Sequence, residues 1–371
     1  MPRWIALLLV VSLLVAAPQR KKKSEEEITQ TLEILPDPPA VIKAETARLA
    51  FHVAPLSGRG LLSQQVRDGI KALWRINNKG AIVKLRALVA GTGDMRRVQA
   101  IVSEMFSEKR LPLPVVSVVQ VGLLPMEAAQ VQLEATSVAR KAINPHGVAF
   151  ISGQASTAPI DPENPSLAVA GLTAQAMANL RTALTGIQLT SPDVTRVTCF
   201  TSSLSDYFDV RRLLITEFPN AALSIVQAER SPTAGLVECE AVARLKTRQP
   251  TSLQFVNPPG LTPSPNFSQV ALVSTKQVVL SGTQLAFRYQ DSDVRLAFER
   301  LRDSLEQAGA SIKNVAMSSI YPLSRAMQEK VRTLRFEFYD RPRPPASTMI
   351  LFQGLPSLDA SFGVDVVAAI P

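Results

Sequence analysis

The chain has 371 residues, 46% hydrophobic and 19% charged, a globular balance that excludes a disordered chain and leaves room for two or three domains. Its net charge of +9 is scattered, with no dense Lys/Arg stripe interleaved with aromatics, so nucleic acid is not the expected partner. Two cysteines and two histidines exclude a His/Cys metal cluster of the usual spacing, and no metal or cofactor is expected.

At the N-terminus, Arg3 precedes an apolar run from Trp4 to Ala17. The run is shorter than the roughly 20 residues of a membrane span and suits a signal-peptide core. Val15 and Ala17 favour cleavage after Ala17, Pro18 opposes it, and the cluster Arg20 to Lys23 would hold an uncleaved anchor at a membrane surface. Residues 1–19 are therefore read as a signal peptide or anchor, with 4–17 as the membrane tether if it stays uncleaved. That predicts export, either periplasmic or secreted. Residues 20–27, with the charge run Lys21 to Glu27, read as a solvated tether.

One order of elements then appears three times: strands, helix, strand, helix, proline-containing turn, strand, strand. In the first copy, 28–140, Val66, Ile70 and Leu73 mark a helix face. Ala81 to Ala90 follows as a strand, Met95, Val98, Val102 and Met105 mark a second helix, and Val116 to Val121 and Val131 to Val138 close the unit. In the second, 141–247, Leu172, Ala176, Leu180 and Leu184 carry the first helix, Val194 to Ser202 the strand, and Val210, Leu214 and Phe218 the second helix. Leu223 to Ala228 and Leu236 to Leu245 are its last strands, and Cys199 and Cys239 lie in these apolar runs, either as buried thiols or as a cross-strand disulfide.

Residues 248–265 read as a Pro-rich linker. In the third copy, 266–371, Gln269 to Val273 and Gln277 to Ser281 have strand composition, and Val294, Ala297, Phe298, Leu301, Leu305 and Ala308 recur at helical spacing. Gly309 sits where a helix C-cap glycine belongs. Val315 to Tyr321 is a strand, Met327, Val331, Leu334 and Phe338 mark the second helix, and Thr348 to Gln353 and Gly363 to Ala369 finish the unit.

The third copy resembles the Rid (YjgF, reactive-intermediate deaminase) family along its length. The matching pieces are Ser264-Pro265-Asn266-Phe267-Ser268-Gln269, Val279-Leu280-Ser281-Gly282-Thr283-Gln284, Glu306-Gln307-Ala308-Gly309-Ala310-Ser311, and the turn Arg343-Pro344-Pro345-Ala346-Ser347-Thr348 followed by Leu355-Pro356. The middle copy resembles it more faintly, through Phe150-Ile151-Ser152-Gly153-Gln154, Asp161-Pro162 and Val237-Glu238-Cys239-Glu240-Ala241; the first has Gln132-Leu133-Glu134-Ala135. The resemblance implies an α+β fold of three tandem chorismate-mutase-like (Rid/YjgF) domains. Since family members form homotrimers with clefts between subunits, it also implies an intramolecular pseudo-trimer, monomeric, with small-molecule ligands in inter-repeat clefts.

The family's deaminases hydrolyse enamine and imine acids. An Arg grips the substrate carboxylate in a two-pronged contact, and a carboxylate on the last strand orients water or moves a proton. By this resemblance the Arg position falls on Val116, Ala222 and Ser347, none of them cationic, and the carboxylate position on Glu134, Glu240 and Val367. Glu134 and Glu240 are thus the candidate catalytic residues, and Phe267, Ser347, Thr348 and Arg343 the candidate ligand-binding residues. Arg341, Arg343 and Arg110 are the nearest substitutes for the absent anchor. Three readings follow: a binding or altered-specificity homologue holding small apolar or neutral ligands, an active imine deaminase with a displaced Arg, and an RNA-binding or ribonuclease-like protein. The absent Arg favours the first, Glu134 and Glu240 the second, and net charge alone the third.

Overall fold

A computed structural model of the chain describes residues 35–91, 93–159, 167–229 and 234–371. The apolar run 4–17, the tether 20–27 and Asp161-Pro162 lie outside these residues. The described strands and helices are β1 (Val41–Glu45), β2 (Leu49–Val53), α1 (Leu62–Ile76), β3 (Ala81–Ala90), α2 (Arg96–Glu108), β4 (Val115–Val121) and β5 (Val131–Val138) in the first copy. The second has β6 (Val148–Pro159), α3 (Leu167–Gly186), β7 (Val194–Thr201), α4 (Tyr207–Glu217), β8 (Ala222–Gln227) and β9 (Ala234–Arg244). Then come β10 (Leu253–Val256), β11 (Val270–Val273), β12 (Gln277–Ser281), β13 (Gln284–Phe287), α5 (Asp291–Gln307), β14 (Val315–Pro322), α6 (Arg325–Leu334), β15 (Ala346–Met349) and β16 (Ala360–Ile370).

The helices form where the 3.6-residue spacing gives one apolar face. On α1 the buried residues are Leu62, Gln65, Val66, Gly69, Ile70 and Leu73; on α6 they are Met327, Val331 and Leu334. Ser324 caps α6 by accepting from the Met327 N–H at 3.2 Å, and Gly309 takes φ +72 just beyond α5, as a C-cap glycine does. None of the described helices is long and apolar enough to cross a membrane.

In each copy the strand between the two helices runs parallel to the strand after the second helix and antiparallel to the last strand: β3 with β4 and β5, β7 with β8 and β9, β14 with β15 and β16. Each also carries a bulge at the same point, at Val83, Thr195 and Ala316. The three units thus share one pairing pattern and one bulge position. Helices cover one face of each sheet, giving three separate cores built respectively around Ile70 and Phe106, Leu180 and Leu214, and Phe298 and Val331.

The opposite faces meet one another. Leu49, Val83, Val148, Phe150, Val242, Ala271, Leu280, Met317 and Val367, drawn from all three copies, form one shared core. A second shared cluster joins Leu88, Val119, Phe200, Val226, Tyr321 and Phe352. Strands are exchanged as well: β1 of the first copy pairs with β12 of the third, and β11 of the third pairs with β6 of the second. The copies therefore cannot be separated without opening sheets as well as cores. The stretch read as a linker is partly strand, since β10 extends the second sheet by pairing with β11. Residues 350–353, expected to extend the strand of the third turn, lie beyond β15, which starts two residues earlier than expected and ends at Met349.

Candidate functional site

The pairing registers fix which residues correspond. Arg86 is opposite Glu134, Thr198 opposite Glu240, and Ser319 opposite Asp365. The third carboxylate position is therefore Asp365 and not Val367. Both sit on one face of β16, two residues apart, so strand alternation could not separate them. By the same registers the second loop position is Leu223 and not Ala222, since Ala222 is opposite Arg196 as Val115 is opposite Lys84.

The three carboxylates do not line an open cleft. Arg86 donates to Glu134 at 2.7 Å and to Glu240 at 2.8 Å, Arg196 donates to Glu240 at 3.1 Å, and Thr198 bridges Arg86 and Glu134. Asp365 accepts from Lys84 at 2.5 Å, Ser117 at 2.7 Å and Tyr321 at 2.8 Å. Burial would raise the Glu240 carboxyl, but Arg86 and Arg196 outweigh it and hold the carboxyl below its usual range, with help from Thr348. Burial likewise opposes the charge on Arg86, yet Glu134 and Glu240 push its pKa well above the ordinary value. Burial lowers Lys84 despite Asp365 beside it. The cavity these groups border is only about 30 Å³. Glu134 and Glu240, expected as catalytic residues, are thus members of a buried ionic core that ties the copies together, because cations on β3 and β7 neutralise them, although Glu240 Oε2 and Arg196 Nε have no hydrogen-bond partner among the described residues.

The other expected residues divide. Phe267 and Ser347 line a cleft of about 280 Å³ between the second and third copies, with Gly153, Ala155, Glu238, Ser264, Asn266, Arg332, Arg335 and Met349. Thr348 is buried near Glu240, and its hydroxyl has no hydrogen-bond partner among the described residues. Arg343 is exposed and paired with Asp340, and Arg341 lies over the Phe336 ring, so neither enters this cleft. Arg110 is an exposed residue with φ +52 just past α2.

Two residues that the sequence reading did not assign complete the cleft. Arg335, in the 3-10 turn that ends α6, is only 1% exposed. Its guanidinium donates to Ser347 Oγ at 3.3 Å and to the Asn266 carbonyl, and it stacks on Phe336, but its Nε has no partner. Among the described residues no carboxylate lies within ion-pair distance of it. Burial pulls its pKa to about 10, which leaves it cationic at neutrality.

Glu238 is on β9, two residues from Glu240 and on the same strand face, and is 9% exposed. Among the described residues it makes no hydrogen bond or ion pair. Burial, reinforced by the charge on Glu240, lifts its pKa to about 8. Gly153 makes its position possible, since a Cβ there would collide with the carboxylate. In the third copy the pair is reversed: Gly363 takes the strand position and Thr283 fills the space beside it.

The three inter-copy clefts therefore differ. Between the first and second copies, Gln132 replaces Glu238 and Leu223 replaces Ser347, in an open cleft of about 640 Å³ lined by Phe51, His52, Ile76, Met126, Tyr207, Ile215 and the exposed Arg211. Between the third and first, Thr283 N–H donates to the Val116 carbonyl at 3.3 Å, and Gly282 lies against the Val116 backbone, so main chain closes the space.

Residues 138–245, which span the second copy, match the family model described as endoribonuclease L-PSP. The middle repeat is a Rid-family domain. Sequence resemblance was clearest in the third copy, yet the family model matches the second, which retains a Glu-Cys-Glu strand where the third has Gly363 and Asp365. Among solved structures the chain is similar to a Rid-family protein from Yersinia pestis, at 18% identity over 32% of this chain and 99% of that one, TM-score 0.30. It is similar to RidA from a Psychrobacter species, at 16% identity over 25% of this chain and 80% of that one, TM-score 0.23. It is also similar to a YjgF-family protein from Mycobacterium tuberculosis, at 17% identity over 32% and 99%, TM-score 0.22. No curated protein matches the chain.

Proposed function

We propose that this chain is an exported Rid-family binding protein of altered specificity, whose cleft between the second and third copies holds a small organic anion on Arg335. The observation that carries this reading is a buried guanidinium that lines a cleft and has no carboxylate counter-ion among the described residues. A buried unpaired charge is costly, and a ligand carboxylate is the natural group to compensate it. The cleft stands where the family's clefts stand, but its cation comes from the end of α6 instead of from the loop. The ligand expected here is accordingly anionic, in place of the neutral or apolar ligand that the absent loop Arg suggested.

Export is supported by the apolar run 4–17 and by the disulfide that joins Cys199 and Cys239 on neighbouring strands. Imine hydrolysis is the second reading, favoured by the same displaced Arg together with a carboxylic acid in the same cleft.

Calorimetric titration of the purified protein with 2-oxobutyrate, the type of acid that imine hydrolysis yields, tests the first reading. Binding of the acid but not of the neutral propionamide, lost in Arg335→Leu, is the expected outcome; equal binding by wild type and variant would overturn it. Accelerated loss of 2-aminoacrylate would establish the hydrolytic reading as well.

A further inference from the structure

Folding gathers cations that are scattered in the sequence onto one end of the molecule. The strand registers set Val138 beside Leu49, Val148 beside Arg244 and Val273, and Glu45 beside Gln277, so the turns after β1, β5, β9 and β11 share that end. Hydrogen bonds tie these turns together. The Thr46 N–H donates to the Lys276 carbonyl at 3.1 Å, the Ala139 N–H to the Arg48 carbonyl at 2.7 Å, and the Leu245 N–H to the Gly147 carbonyl at 3.1 Å. Residues 45–48, 139–147, 244–248 and 274–276 carry seven Lys and Arg against a single carboxylate, Glu45. Arg48 takes Glu45, and Lys246 takes Asp193 from the turn before β7. The other five, Arg140, Lys141, Arg244, Arg248 and Lys276, are exposed and form no ion pair among the described residues. Arg248 and Lys276, with Glu45 and His146, border a hollow of about 330 Å³. The opposite end is mixed in charge: Asp94 pairs with Arg96, and Asp37, Glu127, Asp206 and Asp359 stand among Arg59, Arg97, Arg288 and Arg325.

We propose that this end is a docking face for an anionic phospholipid bilayer. Exposed cations without counter-ions, collected on one end, call for a partner that presents many negative charges at once. The four turns hold no Phe, Tyr or Trp, so the bases of a single-stranded nucleic acid would find no ring to stack on. The charges stand on the tips of turns from all three copies, which suits a broad surface, and the hollow between Arg248 and Lys276 can admit a headgroup phosphate. A bilayer is also what an exported chain meets, whether residues 4–17 stay in it or are removed. Each Lys or Arg within a Debye length of such a surface strengthens binding about fivefold, and salt screens the effect. The inference uses the charge of this face and is independent of the Arg335 cleft.

The experiment is co-sedimentation of the full chain with phosphatidylcholine vesicles, with and without about one-third phosphatidylglycerol, together with amide hydrogen exchange on the bound protein. One variant combines Arg140→Ser, Lys141→Ser, Arg248→Ser and Lys276→Ser. A control removes the same charge from the opposite end through Arg59→Ser, Arg97→Ser, Arg288→Ser and Arg325→Ser. Thermal unfolding confirms that both are folded. Phosphatidylglycerol should slow exchange in residues 139–147 and 244–248 of wild type, and phosphatidylcholine alone should not. The end-face variant should lose that protection and a hundredfold or more of the affinity gained from phosphatidylglycerol; the control should keep both within about threefold. The double variant Arg248→Ser with Lys276→Ser should lose about twenty-fivefold. No protection of these turns, equal losses in variant and control, or no binding by wild type would each overturn the docking face. Displacement of the vesicles by a polyuridine oligonucleotide that itself protects the same turns would replace the bilayer with nucleic acid as partner.

Discussion

The cleft between the second and third copies and the cleft between the first and second are built from corresponding strands, yet only the former has a buried cation beside a buried acid; the arginine of the other, Arg211, is exposed. One has Arg335, Glu238 and Ser347; the other has Gln132 and Leu223 at the matching strand positions, with Phe51, Ile76 and Tyr207 around them. A homotrimer repeats every substitution three times, so a cation gained at one interface appears at all of them. A single chain has no such constraint. One interface has a cleft with a buried cation, one has an open cleft whose cation is exposed, and one is closed by main chain. The ionic core shows the same freedom: Arg86, Thr198 and Ser319 occupy one structural position, and the first copy's Arg86 serves the carboxylates of two copies.

The largest effect should come from the shared core, which is structure and not a site. Arg86→Met would strand Glu134 and leave Glu240 with Arg196 alone in a dry interior, so unfolding stability should fall by about 3–5 kcal/mol. Chemical denaturation measures this, and a loss near zero would mean that the carboxylates are not held as described.

Next is Arg335→Leu, which should weaken 2-oxobutyrate at least about tenfold, the worth of one charged hydrogen-bonding group. Its melting temperature should hold or rise, because an unpaired buried charge has been removed.

A different effect concerns stability against pH. The folded pKa of Glu238 lies above its unfolded value because of burial, so the native state holds a proton that the unfolded chain releases. Stability is then fully present below the unfolded value, declines as pH rises from about 4.5, and levels off above about 8. Glu238→Gln should flatten that decline and be more stable than wild type at pH 8 by about 2 kcal/mol or more.

The smallest effect should come from remaking the other cleft: Gln132→Glu with Leu223→Ser supplies the acid and the hydroxyl but no buried cation, and should leave 2-oxobutyrate binding unchanged within about twofold.

Much of the fold was legible because it is periodic. The faces of α1, α5 and α6 follow from residue spacing, and the bounds read for β3 and β5 are those observed. Strand exchange was not legible, because β1 and β11 have ordinary strand composition and composition does not name a partner.

The site was half legible. Phe267 and Ser347 follow from the resemblance, whereas Glu238 and Glu240 share one face of β9, so strand alternation does not say which of them borders the cleft. Arg335 carried a signal of its own. It lies four residues after Val331 and one after Leu334, on the buried face of α6 continued, where a lone arginine is out of place. Asp365 carried a similar one as the single charge in an apolar strand.

The central claim, that one chain forms the whole trimer-like assembly and keeps an anion site at only one of its interfaces, is tested most directly by stoichiometry. Calorimetric titration of the purified chain with 2-oxobutyrate should give one site per chain, abolished by Arg335→Leu. Three equal sites per chain, or one site unaffected by that substitution, would contradict it.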